Sequence, residues 1–216
     1  MKKILSGFLS AVLLCAANVS WAATSEGREG LLALGSAAPD FKLEDVTTGE
    51  TVSRDDFAGK KAFLVMFICR HCPFVQRVKE GLAALAKDYS GKDIAIVAIS
   101  ANDPKGYADD SPESLKEMAE EEDFIFPVLF DDTQDVAKAY TAVVTPDIFL
   151  FDGDRKLVYR GQFDGARPGN DVPVTGEDLR AAIDSLLEGK PVSKDQKHAV
   201  GCSIKWKPGN EPPYFR

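Results

Sequence analysis

The sequence predicts an α/β protein, a central mixed sheet flanked by helices. Three observations predict it. Two runs, Ala62–Ile68 and Ile94–Ile99, are apolar without a break, as strands buried on both faces are. Val75, Val78, Leu82, Leu85 and Tyr89 fall at spacings of 3, 4, 3 and 4, one face of a helix. Ile148–Phe151 and Lys156–Arg160 flank Asp152-Gly153-Asp154, an antiparallel hairpin and its turn.

The elements follow in order. Lys60-Lys61 precede the first strand, and the periodic helix starts after Pro73 and stops at Gly91. The second strand leads into a polar loop, Asn102–Asp110. Ser111-Pro112-Glu113 starts a helix running to about Asp123, with Ser as cap, Pro at the first position and an acid in the first turn. Ser114 and Glu117 have capping-box spacing, an alternative start three residues later. Phe126–Phe130 reads as a short strand and Thr133–Tyr140 as a short helix. After the hairpin, Thr175 is placed to cap a last helix with Leu179, Ile183 and Leu187 on one face. The tail from Lys190 carries four prolines and no clear period, so it is expected to be extended or loosely packed. No repeat or second core is visible; the expected domain spans 33–190, with 191–216 as a C-terminal extension.

Composition narrows the function. The chain has 216 residues, 44% hydrophobic, enough for one buried core. Its formal net charge of −8 gives it no electrostatic reason to bind phosphate backbones, so nucleic acid is disfavoured as a partner. Residues 1–22 read as a signal peptide: Lys2 and Lys3, an apolar run from Ile4 to Ala17, then Ser20-Trp21-Ala22, with cleavage expected after Ala22. Ser6, Gly7 and Ser10 interrupt that run, which is shorter than the ~20 residues a spanning helix needs. A periplasmic or secreted protein without a transmembrane span is expected, in a compartment where disulfides persist. After cleavage Cys69, Cys72 and Cys202 remain, an odd number that leaves one thiol over or makes one pairing exchangeable.

The chemistry is expected at Cys69-Arg70-His71-Cys72-Pro73. Two cysteines two residues apart stand where a buried strand meets a helix, whose free N–H groups and dipole favour a thiolate. Arg70 and a protonated His71 would add positive charge beside the sulfur. On this reading Cys69, nearest the exposed end, attacks a substrate disulfide, and Cys72 resolves the mixed disulfide. Pro73 suits the first turn, where its missing N–H has no helical partner. A structural zinc site would want a second C-x-x-C or a His pair, and the sequence has neither. Cys202 and His198, four apart in the tail, read either as a packed cysteine, as a third redox thiol, or as metal ligands together with Cys69 and Cys72. Asp109-Asp110 and Glu117–Asp123 read as solvated surface.

These residues resemble the thioredoxin-like superfamily. Cys69-Arg70-His71-Cys72 is similar to its active-site motif, and Thr145-Pro146 to the cis-proline segment that faces it. The resemblance implies a thioredoxin-like fold, a cis Pro146, and backbone beside Thr145 that pairs with an extended substrate. Gly35–Leu43 and the long 102–110 loop resemble the redoxin branch that includes alkyl hydroperoxide reductase-type peroxiredoxins, and the C-x-H-C-P motif resembles bacterial exported proteins of that branch. Three positions depart from the patterns. Ile68 stands where thioredoxin has tryptophan, Ala62–Ile68 holds no carboxylate, and Cys69 fills the Thr/Ser position three before a peroxidatic cysteine at Cys72. The implied activity is thiol–disulfide exchange with no cofactor, electrons passing between protein or small-molecule thiols or disulfides and a partner redox protein. The rival activities are a thiol peroxidase and a non-enzymatic copper-binding assembly factor.

Overall fold

A computed structural model of the chain describes residues 23–24 and 30–215. The expected signal peptide lies outside the described residues. Among the described residues no helix is long and apolar enough to cross a membrane.

The strands are β1 (Ala23–Thr24), β2 (Lys42–Asp45), β3 (Thr51–Ser53), β4 (Ala62–Phe67), β5 (Ile94–Ser100), β6 (Val128–Phe130), β7 (Val144–Thr145), β8 (Asp147–Asp152), β9 (Leu157–Gly161) and β10 (Val200–Ser203). The helices are α1 (Pro73–Asp88), α2 (Pro112–Glu121), α3 (Asp135–Ala139) and α4 (Glu177–Leu187). Seven strands form a mixed sheet in the order β3-β2-β6-β5-β4-β8-β9. β4 lies parallel to β5 and antiparallel to β8, so it is central and covered on both faces. Every residue of β4 is at most 1% exposed, which is why its sequence is apolar without alternation. Leu64, Met66 and Ile68 pack with Val75, Leu82, Leu115 and Ile183 of α1, α2 and α4. Phe63, Val65 and Phe67 face Phe149, Phe151 and Tyr140 on the other side.

Two sequence expectations are corrected, one pair of alternatives is decided, and one hairpin is added. The hairpin β2–β3 carries no clear apolar pattern, because Lys42–Asp45, paired with β3 and β6, has a single apolar residue and buries only Asp45. Thr175 does not cap α4: Gly176 does, and Asp164 accepts the Thr175 and Gly176 N–H groups at 2.8 and 2.7 Å. Helix α2 starts at the earlier position, with Ser111 accepting from Ser114 N–H. The tail is neither loose nor unpaired. β10 pairs with β1 on one side and β7 on the other in a second, three-stranded sheet, and Ala199, Cys202, Ile204 and Trp206 are buried. Cys202 in β10 and Ile204 and Trp206 just past it are buried and alternate with half-buried Ser203 and Lys205, a period-2 signal.

Candidate functional site: a three-sulfur centre at the start of α1

β4 delivers Ile68 and Cys69 from the sheet, and the chain bends before α1. Cys72 is the N-cap of α1 and Pro73 its first residue, as the missing N–H of proline allows. Opposite them lies the Thr145–Pro146 bond, which is cis. Thr145 touches both cysteines. Its hydroxyl is 3.1 Å from Cys69 Sγ, and its carbonyl accepts from the Cys72 thiol at 3.2 Å.

The expected exposed position of Cys69 is corrected. Cys69 and Cys72 are both 0% exposed, and Cys202 is 7% exposed. Burial came from the tail: β10 pairs with β7 in the register Cys202↔Thr145, directly over the turn. Gly201 is required there, since a Cβ on it would lie 2.0 Å from the Thr145 carbonyl oxygen. Among the described residues Cys69, Cys72 and Cys202 are free thiols in one buried cluster.

The electrostatics are also rearranged. Burial pushes the Cys69 thiol well up, and a hydrogen bond with Cys72 and the Asp110 charge push it further, against the Thr145 hydroxyl. Cys72 moves the opposite way. Hydrogen bonds from the Cys202 thiol and then the Cys69 thiol lower its pKa against burial, and the Val75 N–H at the start of α1 helps. The Cys202 thiol is pushed up by the same bond and by burial. Cys72 is therefore the sulfur to which both others relate.

Arg70 does not lend its charge to the sulfurs. Its guanidinium donates to the Ser114 carbonyl, Glu117 and Glu121, all on α2. Arg70 thus ties α2 to the turn, and Glu117, read as solvated surface, is one of its partners. His71 Nδ1 lies 3.8 Å from Cys69 Sγ, but its nearer partner is Asp110 at 2.5 Å.

Asp110 is the residue sequence reasoning misread. It was expected on solvated surface and is fully buried. Its carboxylate accepts from Arg70 N–H at 2.8 Å, His71 N–H at 3.0 Å, the His71 ring and the Asn102 amide at 2.8 Å. Burial opposes its charge, yet those hydrogen bonds more than offset it and the carboxyl is held below its usual range. Tyr107 stacks on the His71 ring, centroids 4.7 Å apart, and Lys205 of the tail sits over the Tyr107 ring at 5.3 Å.

Cys69, His71 and Asp110 bring ligand atoms within 4.8 Å of one another, a trio that a metal could bridge and that the His–Asp hydrogen bond already explains. His198 is exposed and stands outside this trio, so the tail set expected for copper is not gathered. The space beside Pro146, lined by Phe74, Phe163, Arg167 and Val200 among others, is only ≈ 10 Å³. A hollow of ≈ 420 Å³ beside Tyr159 and Asp178 shares no residue with the site.

The AhpC/TSA family profile matches residues 34–160, more than half of the chain and the whole C-x-x-C and Thr-Pro region. The chain belongs to the AhpC/TSA family. Within this AhpC/TSA chain, 61% is 27% identical to the thiol-disulfide oxidoreductase ResA of Bacillus thuringiensis subsp. konkukian (strain 97-27), over 70% of that protein. An uncharacterised conserved protein from Geobacillus kaustophilus superposes with a TM-score of 0.83 at 51% identity, over 87% of this chain and 97% of that one. The thioredoxin domain of a thiol-disulfide oxidoreductase from Bacteroides vulgatus superposes with a TM-score of 0.54 at 27% identity, over 69% of this chain and 96% of that one. The fold is thioredoxin-like, the fold of thiol-disulfide oxidoreductases.

Proposed function

We propose that this chain is an exported thiol-disulfide oxidoreductase whose reacting pair is Cys69 and Cys72. One observation carries the reading. Both sulfurs meet at the N-terminal end of α1, and a single residue of the cis-proline segment, Thr145, bonds to each of them. A structural disulfide needs no such arrangement; a dithiol that opens and closes does. The names of the matched relatives support the same chemistry.

The Cys72 thiol is lowered by its hydrogen bonds and the Cys69 thiol is raised by burial, so on this reading exchange starts at Cys72 and Cys69 resolves. The Cys72 thiolate attacks a substrate disulfide, one substrate thiol leaves, and a mixed disulfide forms. The Cys69 thiol, giving up its proton, attacks Cys72 Sγ; the Cys69–Cys72 bond forms and the second substrate thiol leaves. A partner dithiol then returns the pair to the reduced state. Partners are protein or small-molecule thiols and disulfides. Residues 1–22 act as the signal peptide, cut after Ala22, which places the protein in the periplasm or outside the cell.

The test is dithiothreitol-driven reduction of insulin. The protein accelerates it, and Cys72→Ser and the double variant Cys69→Ser/Cys202→Ser each fall to the rate of dithiothreitol alone. Activity kept in both variants overturns the reading. Oxidation of Cys72 to a sulfenic acid by peroxide, faster than any disulfide exchange, would move the assignment to a thiol peroxidase.

A further inference from the structure

The pair just described is sealed, and the seal itself carries a thiol. β10 occupies the backbone edge of β7, pairing Cys202 with Thr145 and Ser203 with Val144. It is pinned there by more than that pairing. Ile204 N–H donates to the Val143 carbonyl, Lys205 N–H to the Asn102 side chain, and the Gln134 amide to the Lys205 carbonyl. Ile204 and Trp206 are buried in the core on one side of the sheet, while Cys202 joins the core on the other. A strand held this firmly is a standing part of the centre. Of the three cysteines, the one it contributes is the least buried as a residue, 7% exposed against 0% for the other two. The Thr145 carbonyl that receives the Cys72 thiol belongs to the residue directly opposite Cys202 in the ladder, which sets Cys202 beside Cys72.

We propose that Cys202 is a third redox thiol that exchanges with the Cys69–Cys72 disulfide at Cys72 and carries its oxidising equivalent to the surface. The proposal rests on Cys69–Cys72 being the redox pair. It adds the route by which a buried pair meets a substrate.

The internal step needs no outside oxidant. Cys202 loses its proton and its thiolate attacks Cys72 Sγ. The Cys202–Cys72 bond forms, the Cys72–Cys69 bond breaks, and Cys69 leaves as a thiolate that takes up a proton. A substrate thiolate then attacks Cys202 Sγ, and Cys72 leaves as a thiolate that the Cys69 thiol and the Val75 N–H at the start of α1 remain to hydrogen-bond. A second substrate thiolate attacks the mixed disulfide, and Cys202 leaves. Two substrate thiols have become one disulfide, and the protein has gained two electrons. Run backwards, the same steps reduce a substrate disulfide.

Trypsin separates the three cysteines. It cuts after Arg70, so Cys69 falls in 62–70, Cys72 in 71–77 and Cys202 in 198–205. The full chain is equilibrated in glutathione buffers, quenched in acid, blocked by alkylation and digested without reductant. The expected result is peptide 71–77 linked to 62–70 and also to 198–205. In Cys69→Ser, the 71–77 to 198–205 link is expected as the sole internal disulfide. In Cys202→Ser, the 62–70 to 71–77 link forms but exchanges with glutathione at least about tenfold more slowly. The proposal is overturned if 71–77 pairs only with 62–70 while 198–205 is fully alkylated, in the wild type and in Cys69→Ser alike. A link between 62–70 and 198–205 also overturns it, since Cys72 is then not the shared sulfur. If no link between 62–70 and 71–77 forms at all, the proposed function falls and this proposal with it.

Discussion

The two sides of the Cys69–Cys72 turn are held by different forces. On the α2 side a buried carboxylate, Asp110, takes two backbone N–H groups, an imidazole and an amide, and Arg70 reaches out to Glu117 and Glu121. On the tail side there is backbone pairing, a glycine pressed on a carbonyl, and apolar side chains set into the core. The first side fixes the conformation of the turn and holds the Asp110 charge beside it, while the Cys202 thiol of the second side is the largest influence on Cys72. The second fixes who can reach it. Changes on the α2 side should therefore act mainly on stability, and changes in β10 on access and on the Cys72 thiol.

The sharpest break of this contrast is Asp110→Ala. It leaves the Arg70 and His71 N–H groups, the His71 ring and the Asn102 amide without their acceptor in a buried place. A loss of about 3–5 kcal/mol is expected, read by denaturant unfolding of the reduced protein. A loss under about 1 kcal/mol would mean that Asp110 does not organise the turn.

Next is Gly201→Val. Its side chain cannot fit against the Thr145 carbonyl, so β10 must move away. Strain and lost pairing should cost about 1–3 kcal/mol. The diagnostic readout is alkylation of peptides 62–70 and 71–77 under native conditions, which should speed up although neither cysteine is altered. Unchanged alkylation would show that β10 does not cover the pair.

The proton balance is a finer test. Cys72 has its pKa lowered in the folded, reduced protein and Cys69 has its pKa raised, so reduction near neutral pH takes up one proton for two electrons. The reduction potential should then fall by about 30 mV per pH unit, not about 59. The sign for stability is also set. A depressed thiol stabilises the fold fully above the unfolded thiol value of about 8.5, and that contribution is lost progressively as pH falls toward the depressed folded value. The raised Cys69 works against the fold above about 8.5, so the thiol contribution to the reduced protein should peak near the ordinary thiol range. A slope near 59 mV per unit at neutral pH would show that both sulfurs are protonated.

The smallest effect is expected from Arg70→Ala. Its partners Glu117 and Glu121 are more than half exposed, and such pairs are worth about 0–1 kcal/mol. The pH slope of the potential should not change, because the guanidinium is spent on α2. A changed slope would return Arg70 to the role that its place between the cysteines suggested.

Much of this centre could be read from residues alone. Apolar runs, helical spacing and the hairpin turn are local signals, and they placed Cys69–Cys72 between β4 and α1. Pro146 came from resemblance, since nothing local distinguishes a cis from a trans bond before a strand. What stayed hidden was long-range. Asp110 stands next to Asp109 and looks like surface until a turn 39 residues away brings it His71. The prolines of the tail masked the alternation of Cys202, Ile204 and Trp206. Gly201 gave no hint of the carbonyl it must accommodate. Burial of a polar group or a short strand depends on its partner, and no window of sequence contains both.

The measurement that tests the account most directly is the reduction potential of the Cys69–Cys72 pair, from the fraction of 62–70 linked to 71–77 in glutathione buffers of graded ratio. A stabilised Cys72 thiolate favours the reduced form, so the account expects a reversible two-electron transition on the oxidising side of the fold's range, at about −120 to −200 mV. The absence of any reversible Cys69–Cys72 transition would contradict it.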